Sequence, residues 1–416
     1  MSERGQYMDA WDRFTSGIHA KATENLYGHR MNAFLTYIYE GKTLRPAQGH
    51  KLPKVDEEKR RALAKKFAKE TTDQAEEHIS LYIYHLKERV KAKEIQESTI
   101  APSVNPIRKF CRMNRMKGID WDYIYETVPP SKKDANDTTP ELSHIMKLLN
   151  MCSLRLKVMV LLLLSTGMRL GAFNSLHVGD ITEVDVGEFK VGRVVVYRGD
   201  REQYVTFCSP EALASFREYV EFRRRHGEDV GPQSPAIRDA FDSSGARGAA
   251  GKVKWANPYS LERLLLRLWY KSGAFTQKAV NHRHPWKTAH SLRKYYKTAM
   301  ENQAEVKSLH VMMLMEHSAG VSGDSYYRPS EKELIADYLK GVPYLTVSEE
   351  LRQKEQLRLT EEKAKEVVKE AQFELVRERD ERRAWEERFK ALEDRDRARA
   401  RQIDELLRKR PTKKSV

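Results

Sequence analysis

The chain has 416 residues, with 75 Lys and Arg against 60 Asp and Glu, a net charge of +15. That length accommodates two or three domains with sizeable cores. The longest apolar run, from Val158 to Leu164, is far short of the roughly 20 residues that a membrane-spanning helix needs. Three scattered cysteines, Cys111, Cys152 and Cys208, argue against a disulfide framework and against a zinc cluster. Residues 349–416 hold 21 basic and 18 acidic side chains, so +12 of the surplus lies in the remainder. A basic folded region points to a polyanionic partner, nucleic acid first. The opening Met-Ser-Glu-Arg-Gly-Gln leads into no apolar signal region, so a cytoplasmic, nucleoid-associated protein is expected.

Residues 1–128 read as a helical domain. An apolar stripe runs within Tyr27 to Tyr39, and Ile79, Ile83 and Leu86 follow at helical spacing. Lys51 to Lys69 is charged and reads as an exposed helix or loop. A third helix is expected from Ser98 or Ser103, where basic residues interleaved with Phe110 and Met113 either track a phosphate backbone or form a solvated helix face. Residues 129–140, opened by Pro129-Pro130 and filled with turn formers, form a linker. Thr139-Pro140-Glu141 then reads as a helix N-cap followed by proline. Residues 141–346 make a second domain. It begins with helices to about Leu170, then turns to β-branched and aromatic runs at 194–197 and 204–207 around Arg198-Gly199-Asp200-Arg201, the pattern of a hairpin. Helices return at 210–225 and 260–271. Residues 226–257 read as a long loop or flexible insertion, and more helix is expected from about His290 to Glu316. The tail, 347–416, fits a heptad frame at Val368, Ala371, Leu375, Trp385, Phe389, Leu392, Ile403 and Leu406, with Glu378, Arg382, Asp396 and Arg399 in the other slots. That pattern fits a weak coiled coil or a lone charged helix. The fold class expected is mainly α with a small β-sheet.

The sequence lacks a phosphate-binding GxxxxGK[ST] loop, a GxGxxG after a strand, HExxH and paired CxxC motifs. No cofactor and no metal are therefore expected. Three local contexts stand out instead. Arg169 follows the apolar run Leu161 to Leu164 and Ser-Thr-Gly-Met, where a cation must find a partner or bind an anion. His290 and Arg293 fall at i, i+3 on one helix face, a fit for a phosphodiester. His317 ends another apolar run, and a small-residue segment after it delivers Tyr326 and Tyr327.

In this order, Arg169, His290-Ser-Leu-Arg293, Leu314-Met-Glu-His317-Ser and Tyr326 nine residues further on resemble the tyrosine recombinase (integrase) family. The wording Ser-Tyr-Tyr-Arg-Pro followed by Glu333-Leu-Ile-Ala-Asp-Tyr-Leu is similar to archaeal integrases in particular. The resemblance covers about residues 140–345, with a looser likeness of the N-terminal helices to the family's core-binding domain. Three positions depart from it. Ala172 stands where an acidic residue is frequent, Glu316 replaces a glycine, and the family's hairpin lysine has no clean match. Arg201 is the preferred stand-in for that lysine, before Arg198 and Lys190.

The resemblance implies a two-domain DNA clamp, a helical core-binding domain plus a catalytic domain, followed by a long C-terminal helix. It implies a site-specific recombinase that opens and reseals duplex DNA through a 3′-phosphotyrosine, without ATP or metal. Tyr326 attacks phosphorus, Tyr327 being the adjacent competitor. Arg169 and Arg293 clamp the phosphate oxygens. His290 and His317 divide proton transfer and phosphate binding in an order left open. The partners implied are double-stranded DNA and further copies of the chain, a tetramer on DNA. Two alternatives stay open: type IB topoisomerase-like relaxation, and a catalytically inactive DNA-binding protein of the same fold.

Overall fold

The computed structural model describes residues 8–44, 56–130, 138–187, 189–241, 253–275, 286, 288–317 and 327–408. The chain divides into two compact units, residues 1–135 and 136–416.

The first unit is helical throughout its described residues: α1 (Ala10–Ser16), α2 (Lys21–Glu40), α3 (Glu57–Phe67), α4 (Thr72–Lys91), α5 (Ile100–Met113) and α6 (Trp121–Glu126). Its core gathers Trp11, Phe14, Phe34, Phe67, Tyr82 and Phe110, all buried. The charged stretch before Phe67 is a helix because Asp56 caps it and Ala64 and Phe67 anchor one face in that core. Phe110 is wholly buried, so it packs the core and does not face a phosphate backbone. Of its basic neighbours, Arg108 lies over the rings of Trp121 and Tyr125.

The second unit begins with α7 (Leu142–Asn150) and α8 (Leu154–Thr166). Glu141, not Thr139, caps α7, so Pro140 stands ahead of the helix. Three antiparallel strands follow: β1 (Ile181–Val186), β2 (Phe189–Val196) and β3 (Tyr204–Cys208). Their register sets Val194 opposite Ile181 on one side and Thr206 on the other. The hairpin expected from the sequence is β2–β3. β1, which the sequence reading missed, extends it into a sheet. Then come α9 (Pro210–Arg225), α10 (Pro258–Lys271), α11 (Thr288–Glu301), α12 (Ser308–Leu314), α13 (Glu331–Leu345) and α14 (Glu349–Arg408).

One expectation needs correction. Residues 226–257 are not simply a flexible insertion. Val230, Ala236 and Ile237 enter the main core, and Glu228 there binds both Arg223 and Arg238, all three buried. The helical stretch read from about His290 to Glu316 consists of two helices, α11 and α12, separated by 302–307.

Most of α8 is buried, Leu156 and Val158 through Thr166, so nearly every side of it packs against protein. α14 is the opposite. Trp385, Phe389, Leu392 and Ile403 are each more than half exposed along it. Among the described residues, no helix is long and apolar enough to cross a membrane.

Candidate active site

The site is built on the C-terminal end of α8. Ser165 and Thr166 turn their hydroxyls back onto the carbonyls of Leu161 and Leu162, at 2.8 and 2.7 Å. Gly167 then ends the helix in the left-handed region, φ 64°. A helix end leaves carbonyls without intrahelical partners. Here three elements supply them. Tyr338 of α13 donates to the Ser165 carbonyl at 2.9 Å, Thr206 of β3 donates to Thr166 at 3.1 Å, and Arg293 of α11 donates to Gly167. These same contacts bring β3, α11 and α13 around Arg169, which stands two residues past Gly167 at the start of a 3-10 helix, Leu170–Asn174.

Arg293 is 3% exposed. Its second terminal nitrogen donates to the Met315 carbonyl, at the C-terminal end of α12, at 2.6 Å. One guanidinium therefore ties two helix ends together. Burial lowers its pKa and the Arg169 charge adds to that, while Tyr204 pulls the other way. An arginine stays charged through such a shift. Arg169 is different: 45% of its side chain is exposed, and its guanidinium pairs with the Glu316 carboxylate. Burial acts to lower its pKa, but the hydrogen bond and charge of Glu316 outweigh that and leave it raised.

Arg169, Arg293 and His290 line one open pocket of about 510 Å³, together with Met168, Glu262, Arg263 and Thr288. His290 is exposed on the same helix as the buried Arg293. His317 stands next to Glu316. Burial, and then the charges of Arg293, Lys297 and Arg169, push its pKa below the ordinary histidine value, with Glu316 opposing. The structure thus brings together four of the five residues singled out from the sequence. The fifth, Tyr326, lies outside the described residues. Its neighbour Tyr327 is described, and its hydroxyl lies 2.7 Å from His310 Nε2.

Sequence reasoning missed two residues here, Tyr197 and Tyr204, and read Glu316 only as a departure from the family pattern. Glu316 has φ 55°, in the left-handed region where glycine is at ease. Its carboxylate, absent from the family pattern, takes up the arginine that the sequence left without a partner. Tyr197 and Tyr204 flank the β2–β3 turn and sit beside Arg169 and Arg293 respectively. Burial raises the pKa of both. The Tyr204 hydroxyl is shut off from solvent beside the Arg293 guanidinium. The only signal for these tyrosines was their place at the hairpin ends. Of the lysine stand-ins, Arg198 pairs with Asp180 and Lys190 with Glu183 and Asp185, while Arg201 is exposed in the turn. Among the described residues, no three His, Cys, Asp or Glu side chains gather as a metal site.

No protein-family model matches the chain, and comparison with curated proteins finds no significant relative. Solved structures do match it. XerA recombinase is 16% identical, with a TM-score of 0.32, over 79% of this chain and 96% of that one. A lambda integrase dimer bound to a COC′ core site is 13% identical, with a TM-score of 0.45, over 77% and 97%. XerH site-specific recombinase bound to palindromic difH substrate is 13% identical, with a TM-score of 0.40, over 76% and 95%. Across most of its length, the chain is similar to solved structures of tyrosine recombinases and integrases.

Proposed function

We propose that this protein is a site-specific recombinase that cleaves and rejoins duplex DNA through a covalent phosphotyrosine. The observation that carries the reading is the pairing at one pocket of a buried Arg293, held by two carbonyls, with a half-exposed Arg169, His290 lining the same pocket and His317 near both cations. Two fixed cations suit the non-bridging oxygens of a phosphodiester and the extra charge of its pentavalent transition state.

In this reading Tyr326 attacks phosphorus. A bond forms from the phenolic oxygen to phosphorus, the bond from phosphorus to the 5′ oxygen breaks, and that oxygen takes up a proton. The free phenol has a pKa of about 10, so its proton leaves during attack. His290, exposed at the pocket edge, accepts it. His317, held toward the neutral form by burial and then by the cations around it, hydrogen-bonds a phosphate oxygen. Reversal of the same step reseals the strand without ATP, and the arginines provide the charge stabilisation that a metal would otherwise supply. Strand exchange needs several copies on two DNA sites, and the exposed apolar residues of α14 give a second copy a surface to pack on.

The test is a nicked suicide duplex carrying a candidate site, incubated without metal or ATP and run on a denaturing gel. Wild type should form a protein–DNA adduct that Arg293→Ala, Arg169→Ala and Tyr326→Phe lose. Binding to that DNA without any adduct would refute the chemistry and leave an inactive DNA-binding protein. Relaxation of supercoils without joining of two sites would turn the reading to a type IB topoisomerase-like enzyme.

A further inference from the structure

Away from the pocket, three titratable side chains from separate segments meet beneath α13. His310, in the first turn of α12, is 1% exposed. Its Nε2 lies 2.7 Å from the Tyr327 hydroxyl, and the two rings are nearly parallel, 14° apart. Its Nδ1 lies 2.7 Å from Asp337 Oδ2. Asp337 is buried in α13 and also accepts the Lys307 backbone N–H at 3.1 Å and Lys340 Nζ at 2.8 Å. Burial acts to raise the pKa of that carboxyl, but Lys340, the Lys307 N–H and His310 outweigh it, so it stays ionised. The Asp337 carboxylate is close enough to attract a proton to Nδ1, although the angle there falls short of a hydrogen bond, and the pair is an electrostatic one. Nε2 then accepts from the Tyr327 O–H.

A tyrosine that only fills space needs no such arrangement. Tyr327 is half-buried, so water could serve its hydroxyl. Instead, a histidine and an aspartate are buried to receive it. α12 carries this contact at one end. At its other end the Met315 carbonyl holds Arg293, followed by Glu316 and His317. Tyr326 is one peptide from Tyr327, about 3.8 Å between Cα atoms.

We propose that Tyr327 is a positioning residue: its hydrogen bond to His310, which is paired with Asp337, ties the residue that follows Tyr326 in sequence to α12, the helix whose other end holds Arg293. The proposal rests on the recombinase reading. A misplacement of about 1 Å is enough to cost a hundredfold in rate, so the tether acts on the chemical step and not on DNA binding.

The experiment uses the full chain and the suicide duplex at saturating DNA. Tyr327→Phe keeps the ring and its stacking and removes only the hydroxyl. Adduct formation by the folded protein should slow roughly tenfold to a hundredfold, with DNA affinity unchanged and the adduct mapped by mass spectrometry to Tyr326. Asp337→Asn should slow it in the same direction, and the double variant no further than the slower single. Tyr327→Phe forming adduct at the wild-type rate would overturn the proposal. So would an adduct mapped to Tyr327 itself, which would make His310 its base. Absence of adduct from wild type would refute the recombinase reading and this proposal with it. Either of the first two outcomes would refute the proposal alone.

Discussion

Gly167→Ala tests the architecture of the site most directly. The residue has φ 64°, and a Cβ built there would stand 2.4 Å from Tyr296 Cδ1 and 2.9 Å from its Cγ and Cε1. Tyr296 is fully buried between the sheet and α13, so its ring cannot swing away. Two costs therefore add. The left-handed backbone costs a residue with a Cβ roughly 1–2 kcal/mol, and overpacking a tight core costs about 1–3 kcal/mol. A loss of roughly 2–5 kcal/mol lowers the melting temperature of a unit this size by about 5–20 °C. Gly171→Ala is the control: it is four residues on, lacks a positive φ and has nothing within 4 Å of its Cβ position. It should stay within about 0.5 kcal/mol of wild type. Because Gly167 gives its carbonyl to Arg293, the same change should also slow DNA cleavage by the protein that remains folded. Differential scanning calorimetry of the whole chain decides the matter. Equal melting temperatures for the two variants would refute the reasoning.

Three further predictions follow from other contacts. Glu316→Gln removes the anion that occupies Arg169, and a half-exposed ion pair is worth roughly 0.2–1 kcal/mol. DNA affinity should therefore rise about twofold to fivefold, measured by fluorescence anisotropy at fixed salt, and an unchanged or weaker affinity would refute the competition. Glu228→Ala leaves Arg223 and Arg238 buried without their shared carboxylate, and should cost about 3–5 kcal/mol in denaturant unfolding. For His317, a depressed pKa means that the folded state favours the neutral ring. Its contribution to stability is present above the ordinary value of 6.5 and is lost as pH falls through the depressed one. An NMR titration should place its midpoint below 6.5 in wild type, and lower still in Glu316→Gln, because the opposing carboxylate is gone. A midpoint at or above 6.5 in wild type would contradict the site's electrostatics.

The sequence was most legible where a feature is local. α8 announced itself as an unbroken apolar run, and the β2–β3 hairpin as two β-branched runs about a Gly-Asp turn. Arg169 declared a need for a partner because it follows such a run. The features that escaped are those decided by distant residues. α12 has no helix-breaking Gly or Pro before it, and the side chain that meets the Lys307 N–H at its start is Asp337, thirty residues away. The segment after α9 reads as a loop by composition, yet its Glu228 accepts from two buried arginines, Arg223 of α9 and Arg238. β1 did carry a signal in Ile181, Val184 and Val186, but Asp185 and Glu183 diluted it.

Glu316 shows how a departure from a family pattern is read physically. The backbone there is left-handed at φ 55°, which accounts for a glycine at that place in the resemblance. A glutamate costs backbone strain there, and its carboxylate pairs with Arg169. The two arginines of the pocket therefore divide the work. Arg293 is held by two carbonyls and keeps its geometry whatever enters. Arg169 holds an anion that it can exchange, and a phosphate that displaces Glu316 replaces one negative partner with another. In the proposed reaction the cation is thus never stranded at the end of a buried helix, and Glu316 already opposes the fall of the His317 pKa while it pairs with Arg169.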